Sequence, residues 1–320
     1  MTQGDDTPLP RLPRRPDDAH KGVFGTVLVV GGSAAPGGLR MIGAPALAAR
    51  GAIRAGVGLA RIMAPAPVLD AALATLPEAT GVPIECDDAG RIRPHAAAQT
   101  LDAQLGQTSC LIVGPGMGSG DEVESLVLRC VGQAEAPVVL DADGLNALAN
   151  VGEAPRAIRA SCVLTPHPGE YRRLADSLSI RLDPTDESQR VEAAAELARR
   201  LGVVVVLKGR HSVVSDGARA WTCTRGRPVL STGGTGDVLS GVIGALIAQF
   251  VAKGPAAIGS VTMPRPKGKP LDLYDAARVG VEAHAIAGEV WTDREHASAG
   301  MLARELGDEI PGVIETMREG

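Results

Sequence analysis

Short aliphatic runs that end at glycine or a polar residue recur along this chain. Such runs are typical of parallel strands that are buried on both faces of a sheet. Helical patterns separate most of them, which predicts an α/β fold with a mostly parallel central sheet and helices on both faces. The six clearest runs are residues 26–30, 59–63, 110–113, 137–140, 162–164 and 203–207.

The rest of the chain fits around such a sheet. Small and apolar residues predict helices over 43–55, 122–131 and 188–201, and residues 212–214 and 218–222 predict an added hairpin. Beyond residue 241 we expect helices to the end, with an interruption rich in Gly, Pro and Lys at 254–270 that has the character of an insertion. Residues 1–20, rich in Pro and charge, predict a flexible or wrapped-over N-terminal arm. Because we find no linker that would divide the remainder, residues 21–320 are expected to form a single domain.

Composition excludes several classes of function. Aromatic residues make up 2% of the chain and the net charge is −5, so few rings are available for base stacking and we expect no nucleic-acid binding. The five cysteines include no C-x-x-C pair, which indicates reduced core residues rather than disulfides or zinc ligands. No run has the ~18–20 apolar residues that span a membrane, and the N-terminus lacks the apolar core of a signal peptide. We therefore expect a cytoplasmic protein.

A glycine-rich stretch at 231–241 reads STGGTGDVLSG and continues directly into an apolar helix. Glycines before a helix leave backbone N–H groups free, and these groups together with the helix dipole can hold an anion. Asp237 lies among them, where a carboxylate is costly. Two interpretations stay open: Asp237 caps the helix, or it is a general base that acts on a hydroxyl beside a bound phosphate.

Glycine and polar residues follow most of the predicted strands. The carboxyl ends of parallel strands lie at one edge of a sheet, so these residues are expected to form one crevice for a nucleotide and a polar second substrate. The set comprises Gly31, Gly32, Ser33, the 114–118 loop, Asp141, Asp143, Asn146, the 165–170 segment, Lys208, Gly209 and residues 233–237.

Individual members of this set have alternative interpretations. His167 stands between two prolines, which favours a ligand contact over a core position. Asp141 and Asp143 either cap the following helix or orient Mg²⁺ or substrate. Lys208 follows five aliphatic residues, so its ammonium is expected at the rim of the sheet, where it can bind phosphate. The 114–118 loop is either a ligand contact or a simple turn.

Eight segments also carry a family pattern: KGVFG at 21–25, RAGVGL at 54–59, LPEA at 76–79, GPGMG at 114–118, LDADGLN at 140–146, TPHPGE at 165–170, VLKG at 206–209 and GGTGDVLSG at 233–241. From Lys21 onward the chain thereby resembles the ADP- or ATP-dependent (S)-NAD(P)H-hydrate dehydratases, repair enzymes of the ribokinase-like superfamily. The GTGD pattern marks the whole superfamily, whereas LDADGLN and TPHPGE are more specific.

The resemblance implies a hydro-lyase that restores NADH or NADPH from the S form of the hydrated dinucleotide, NAD(P)HX, at the expense of ADP or ATP. Mg²⁺ would accompany the nucleotide without a cage of protein ligands. Asp237 would be the catalytic base, and Asp143 and Asn146 would orient metal or substrate. The implied substrate contacts are Ala44, Gly116, Gly118, His167 and Asp237. The implied nucleotide contacts are Lys208, Gly209, Arg210, His211, Ser212, Thr235 and Gly236.

Two segments depart from the family pattern, namely 254–270 and the first loop at 31–41. The chain has no epimerase domain, so a partner epimerase is expected to be a separate protein. Helices rich in Ala and Gly permit close subunit packing, and we expect a homo-oligomer. Two alternative functions remain: a kinase of the same fold that phosphorylates a hydroxymethyl group of a vitamin precursor, and a nucleotide-binding protein without turnover.

Overall fold

The structure is a computed structural model that describes residues 3–5, 7–34, 39–152, 154–251, 256–258, 261–263 and 271–318. The strands are β1 (Gln3–Gly4), β2 (Thr26–Val30), β3 (Leu59–Pro65), β4 (Thr80–Ile84), β5 (Cys110–Val113), β6 (Val138–Leu140), β7 (Cys162–Leu164), β8 (Val204–Leu207), β9 (Val213–Ser215), β10 (Arg219–Thr222), β11 (Ala256–Ile258) and β12 (Val261–Met263). The helices are α1 (Gly43–Arg54), α2 (Ala66–Thr75), α3 (Pro94–Leu105), α4 (Asp121–Val131), α5 (Asp143–Ala149), α6 (Ala154–Ala157), α7 (Pro168–Ser177), α8 (Arg190–Leu201), α9 (Thr235–Phe250), α10 (Leu273–Glu295) and α11 (Ala303–Thr316).

Ten strands form the central sheet in the order β1-β10-β9-β8-β7-β6-β5-β2-β3-β4. Strands β2 to β8 are all parallel, and β9 is antiparallel to both of its neighbours. The mostly parallel α/β sheet predicted from the aliphatic runs is confirmed, as is the β9–β10 hairpin. The predicted interruption at 254–270 lies largely outside the described residues, which include only the antiparallel pair β11 and β12 from that segment.

Alternate residues of each strand enter separate cores on the two faces of the sheet. In β2, Val27 and Val29 belong to one core, while Leu28 and Val30 belong to the other. The first core is covered by α1, α2, α9, α10 and α11, and the second by α3, α4, α5, α7 and α8. Burial on both faces explains why the strands are continuously aliphatic instead of alternating.

Helices α1 and α9 cross at very short range. A Cβ atom added to Gly241 would lie 2.1 Å from the Ala48 carbonyl oxygen, and one added to Gly51 would lie 2.4 Å from the Val238 carbonyl oxygen. Only glycine permits this approach at either position. The crossing therefore fixes the position of α9, the helix that begins with the glycine-rich stretch.

Several residues of the N-terminal arm contact the domain. Leu12 is fully buried, and its N–H donates to the Met317 carbonyl at 2.9 Å. Arg278 of α10 is also buried and lies 3.4 Å from the carboxylate of Asp5. An apolar side chain at Leu12 and an ion pair at Asp5 thus attach these parts of the arm to the domain.

Within the described residues, no helix is long and apolar enough to cross a membrane.

Candidate active site

The polar residues that follow the parallel strands are linked to one another at the carboxyl edge of the sheet. Backbone hydrogen bonds join neighbouring loops: Gly32 N–H donates to the Pro115 carbonyl at 2.8 Å, and Lys208 N–H donates to the Pro166 carbonyl at 2.8 Å. The start of α9 faces the same edge, since Ser240 of α9 contacts Asp141 after β6. The expected convergence of these segments is therefore present.

Asp141 and Ser240 are buried and contact each other next to Lys208, whose side chain is 19% exposed. Lys208 Nζ donates to Asp141 Oδ1 at 2.7 Å, and Ser240 Oγ donates to Asp141 Oδ2 at 2.5 Å. Burial opposes ionisation of Asp141, but the ammonium of Lys208 outweighs it and holds the pKa of Asp141 below its ordinary value. Burial likewise opposes the charge of Lys208, but the carboxylates of Asp141 and Glu170 raise its pKa. Both groups therefore stay charged at neutral pH.

Asp237 is the third residue of α9 and does not cap it. The N-cap is Gly234, in the left-handed region at φ 91°, and no side chain caps the helix. Among the described residues, none donates a hydrogen bond to the carboxylate of Asp237. Burial, followed by repulsion from the carboxylate of Asp141, raises the pKa of Asp237 to about 8. The capping interpretation of this residue is therefore wrong, and the general-base interpretation stays a prediction.

The His167 side chain lies outside the core and makes hydrogen bonds with neighbouring residues. It is the N-cap of α7, and its Nδ1 accepts from the N–H groups of Gly169 at 2.9 Å and Glu170 at 3.3 Å. Glu170 completes a capping box by accepting the His167 N–H at 2.8 Å. The proton of the neutral ring is thus on Nε2, 3.3 Å from Glu170 Oε1. Half of the His167 side chain stays exposed, so the ring remains accessible to a ligand.

Glu170 carries a second perturbed carboxyl group in the crevice. Burial raises its pKa to about 7, against the opposing charge of Lys208, whose Nζ lies 3.8 Å from Glu170 Oε2. Burial lowers the pKa of His167, and the charge of Lys208 lowers it further. Titratable groups with shifted pKa values are typical of catalytic sites, so this cluster is the candidate reaction centre.

A cavity of about 660 Å³ lies beside β8, β10, α9 and α10, and is called the nucleotide cavity below. All seven predicted nucleotide contacts line it, from Lys208 to Ser212 and at Thr235 and Gly236. Its other walls are apolar near Val281 and Ala285 and basic near Arg210 and Arg227. A cavity with basic and apolar walls suits a nucleotide, whose phosphates are anionic and whose base is apolar on its faces.

The predicted substrate contacts do not line the nucleotide cavity, and several of them lie close to one another. Gly116 and Ala44 are neighbours, since a Cβ atom added to Gly116 would lie 3.2 Å from the Ala44 Cβ. Gly118 N–H donates to Asp143 Oδ2 at 2.8 Å, and the Asn146 side-chain amide lies 3.4 Å from Asp143 Oδ1.

The expectation that Asp141 or Asp143 caps α5 is wrong, because no side chain caps that helix. Their carboxylates bind Lys208, Ser240 and Gly118 instead.

Two residues that support the nucleotide cavity were missed by sequence reasoning. Arg190 of α8 donates to the carbonyls of Leu207 at 2.9 Å and Lys208 at 2.8 Å, and so holds the loop after β8. His284 of α10 lines the cavity and donates from Nε2 to the Thr235 carbonyl at 2.9 Å. Both residues lie within ordinary amphipathic helices, so no local sequence signal distinguishes them.

The described carboxylates differ in their capacity to contact a metal ion. Asp141 has both oxygens occupied by Lys208 and Ser240, whereas Asp237 accepts no hydrogen bond and Asp143 accepts one strong hydrogen bond, from Gly118. Within the part of the chain that the structure describes, no group of three or more His, Cys, Asp or Glu residues is arranged to hold a metal. Mg²⁺ commonly binds one or two carboxylates together with nucleotide phosphates and waters, and Asp237 and Asp143 fit that role.

The comparisons with known proteins identify the family of this chain. The family model described as NAD(P)H-hydrate dehydratase matches residues 27–312. An ADP-dependent (S)-NAD(P)H-hydrate dehydratase from Xanthomonas campestris pv. campestris is 35% identical, over 92% of this chain and 90% of the relative. A bifunctional NAD(P)H-hydrate repair enzyme from Coxiella burnetii is 37% identical, over 93% of this chain and 52% of the relative. The chain therefore spans about half the length of the bifunctional relatives it matches.

Solved structures agree with this assignment. The ADP/ATP-dependent NAD(P)H-hydrate dehydratase from Bacillus subtilis, co-crystallised with ATP and Mg²⁺, has a TM-score of 0.73 and 32% identity, over 96% of this chain and 95% of the other. A ribokinase-like superfamily protein from Enterococcus faecalis, at 21% identity and a TM-score of 0.72 over 96% of this chain and 93% of the other, shares the fold. The ribokinase-like fold is thus confirmed, and the chain belongs to the NAD(P)H-hydrate dehydratase family.

Proposed function

We propose that this protein dehydrates the S form of hydrated NADH or NADPH back to the reduced dinucleotide, and that ADP or ATP drives the reaction. The observation that carries the proposal is the position of Asp237. It follows Gly236, which lines the nucleotide cavity, and its charge interacts with that of Asp143, which holds the N–H of Gly118. We therefore propose that Asp237 acts as the base between the nucleotide and the second substrate.

The first step is phosphoryl transfer to the ring hydroxyl of the hydrated nicotinamide. Asp237 takes the hydroxyl proton, the hydroxyl oxygen forms a bond to the terminal phosphorus, and the bond from that phosphorus to AMP or ADP breaks. The backbone N–H groups at the start of α9 are suited to stabilise the charge on the transferred group. When bound with the nucleotide, Mg²⁺ supplies charge neutralisation at the phosphates, and Asp143 is the residue we propose to face it.

The second step is elimination of phosphate. Hydroxide is a poor leaving group, whereas a phosphate ester leaves readily as the carbon–oxygen bond breaks and its electron pair goes to the phosphate. The adjacent ring carbon loses a proton, which the departing phosphate accepts in the net balance. The double bond of the ring then forms. The products are the reduced dinucleotide, inorganic phosphate, and AMP from ADP or ADP from ATP.

Supporting residues divide between the two ligands. Lys208, Gly209, Arg210, His211, Ser212, Thr235 and Gly236 are proposed to contact the nucleotide, because they share one cavity. The proposed dinucleotide contacts are Ala44, Gly116, Gly118 and His167, with Asp143 and Asn146 orienting the substrate or its metal ion.

The biological setting follows from the same assignment. All five cysteines are free thiols, which supports a reducing compartment, and we place the protein in the cytoplasm. The bifunctional relatives support a functional partnership with an NAD(P)HX epimerase activity. We also expect a homo-oligomer, which sedimentation equilibrium would test.

The test is a product assay with purified protein, the separated S and R forms of NADHX, and either ADP or ATP. We expect the absorbance of reduced nicotinamide to return from the S form only, with one phosphate released per dinucleotide restored. Phosphorylation of a thiazole or pyrimidine alcohol without dinucleotide turnover would identify a kinase of this fold. Nucleotide binding without any turnover would identify a non-catalytic protein.

A further inference from the structure

A second cavity of about 390 Å³ adjoins the loop that contains Gly118. It lies beyond the ends of β2, β3 and β5, whereas the nucleotide cavity lies beside β8 and β10 at the other end of the strand order. Its walls combine apolar side chains with a few polar ones. The apolar walls come from Met41, Pro65, Ile92, Met117 and Val123, and the polar groups from Ser33, Arg91, Ser119, Glu122 and Asp143.

The cavity is continuous with the proposed substrate contacts through Gly118 and Asp143, which line it and are joined to each other at 2.8 Å. Gly118 has φ 76° and leaves open the space toward Ser33, whose Oγ would be 3.6 Å from an added Cβ atom. A ligand held at Gly118 and Asp143 can therefore extend into this cavity. Its volume lies in the range, roughly 300–1,000 Å³, that is usual for small-molecule sites.

The unpaired charge on the cavity walls is negative. Arg91 is neutralised by Asp87, with its Nε and Nη2 both 3.0 Å from Asp87 Oδ2. Glu122, by contrast, has no cation within ion-pair distance among the described residues. Glu122 also lies in the acidic first turn of α4, beside Asp121 and Glu124. These carboxylates oppose the binding of a phosphate at this helix start, although a helix start would otherwise favour an anion.

The substrate of the proposed function is larger than its reacting half. With ADP or ATP in the nucleotide cavity and the hydrated ring at Asp237, the adenosine half of the dinucleotide needs a separate place. An adenine ring fits between apolar walls, and ribose hydroxyls are donors that suit a carboxylate. NADPHX differs from NADHX by a phosphate on exactly one of those hydroxyls.

We propose that the second cavity holds the adenosine half of the hydrated dinucleotide, and that Glu122 accepts hydrogen bonds from its ribose hydroxyls and repels a 2′-phosphate. The protein then prefers NADHX to NADPHX. Acidic residues make the same distinction in dinucleotide-binding folds of a different architecture. The identity of the substrate in this assignment rests on the proposed function. The chemistry of the cavity does not depend on it.

The kinetic test compares kcat/KM for three substrates: S-NADHX, S-NADPHX and the hydrated mononucleotide that lacks the adenosine half. We expect Glu122→Gln to reduce the preference for NADHX by about tenfold, the effect of losing one charged hydrogen bond and one repulsion. Glu122→Lys is expected to reverse the preference. Neither variant should change kcat/KM for the truncated substrate by more than about twofold.

Glu124→Gln is the matched control, because it removes a carboxylate from the same helical turn outside the cavity and can still accept the hydrogen bond from Asn150. An unchanged preference in both Glu122 variants would overturn the proposal. An equal loss for all three substrates would also overturn it, since Glu122 would then support the fold. The proposal would also be overturned if Arg91→Ala, and not the Glu122 variants, changed the preference between NADHX and NADPHX, since the cavity would then recognise phosphate.

A binding measurement separates this inference from the proposed function. With saturating ADP present, calorimetry should detect binding of ADP-ribose to the wild type and weaker binding of its 2′-phosphorylated form, with the difference lost in Glu122→Gln. This readout needs no turnover. A protein that has no turnover but binds ADP-ribose more tightly than its 2′-phosphorylated form would refute the dehydratase assignment and support the assignment of the cavity. A protein that restores NADH but does not bind ADP-ribose would refute the assignment of the cavity and support the dehydratase assignment.

Discussion

Asp237 is a carboxylate that the fold makes costly to ionise. Its pKa is raised to about 8 by burial and by Asp141, whereas an aspartate in an unfolded chain titrates near pH 4. The native protein therefore binds more protons than the unfolded chain between about pH 4 and pH 8, and the free energy of unfolding falls as pH rises through that window.

Asp237→Asn removes this penalty. We expect its Tm to match that of the wild type at acidic pH, where both side chains are neutral, and to exceed it by several degrees above about pH 8. Thermal melts across pH provide the measurement, and Asp293→Asn, on the exposed face of α10, is the control. A variant whose Tm difference does not change with pH would show that Asp237 is ionised without cost.

Lys208 has two roles that substitutions can separate. Lys208→Ala leaves Asp141 buried without its cation, so we expect a loss of about 3–5 kcal/mol in the free energy of unfolding. The double variant Lys208→Met with Asp141→Leu removes both charges and should regain most of this stability in denaturant titrations. Its apparent KM for ADP or ATP should still rise more than its KM for the dinucleotide. An unchanged nucleotide KM in the double variant would make Lys208 purely structural.

The sequence could predict which residues gather at the edge of the sheet, because each follows an aliphatic run. It could not predict which of these residues contact one another. Asp141 lies 67 residues from Lys208 and 99 from Ser240, so their contacts depend on strand order and helix packing. His167 was singled out by its flanking prolines, yet its use of Nδ1 as a helix cap becomes visible only once α7 is seen to begin at Pro168.

At the scale of elements, the crossing of α1 and α9 determines where Asp237 stands. Gly241→Ala would place a methyl group within 2.1 Å of the Ala48 carbonyl oxygen, so the helices must separate. We expect a destabilisation of about 1–3 kcal/mol or more, together with a fall in kcat. Gly312→Ala in α11 is the control, since nothing lies within 4 Å of its added methyl group and the change should stabilise by about 0.5–1 kcal/mol. Equal stability of the two variants would contradict this account of the crossing.

Most elements with strong patterns were predicted, but the segment between Met63 and Cys110 was not. There the structure has α2, β4 and α3. Strand β4 reads TGVPI, and its glycine and proline hide the aliphatic signal, which an edge strand with a single neighbour can tolerate. Helix α2 starts directly at the end of β3, so no turn residues separate the two elements.

At the scale of the whole molecule, the N-terminal arm connects the far edge of the sheet to the C-terminal helices. Strand β1 pairs with β10, and Arg318 Nη1 donates to the Pro13 carbonyl at 2.6 Å. Leu12→Ala should lower the free energy of unfolding by about 2–5 kcal/mol, because its side chain is fully buried. Val290→Ala, at a site that is 40% exposed, should change it by only about 1 kcal/mol or less. A Leu12 variant as stable as the Val290 variant would show that the arm is dispensable.

The most direct test of the account is turnover of S-NADHX by wild-type protein and by Asp237→Asn, with the affinity for ADP measured in parallel. We predict NADH formation by the wild type, a loss of roughly 10²-fold or more in the variant, and ADP affinity within severalfold of the wild type, because the base is lost while the nucleotide cavity is intact. An Asp237→Asn enzyme that restores NADH at the wild-type rate would contradict the assignment of Asp237 as the base.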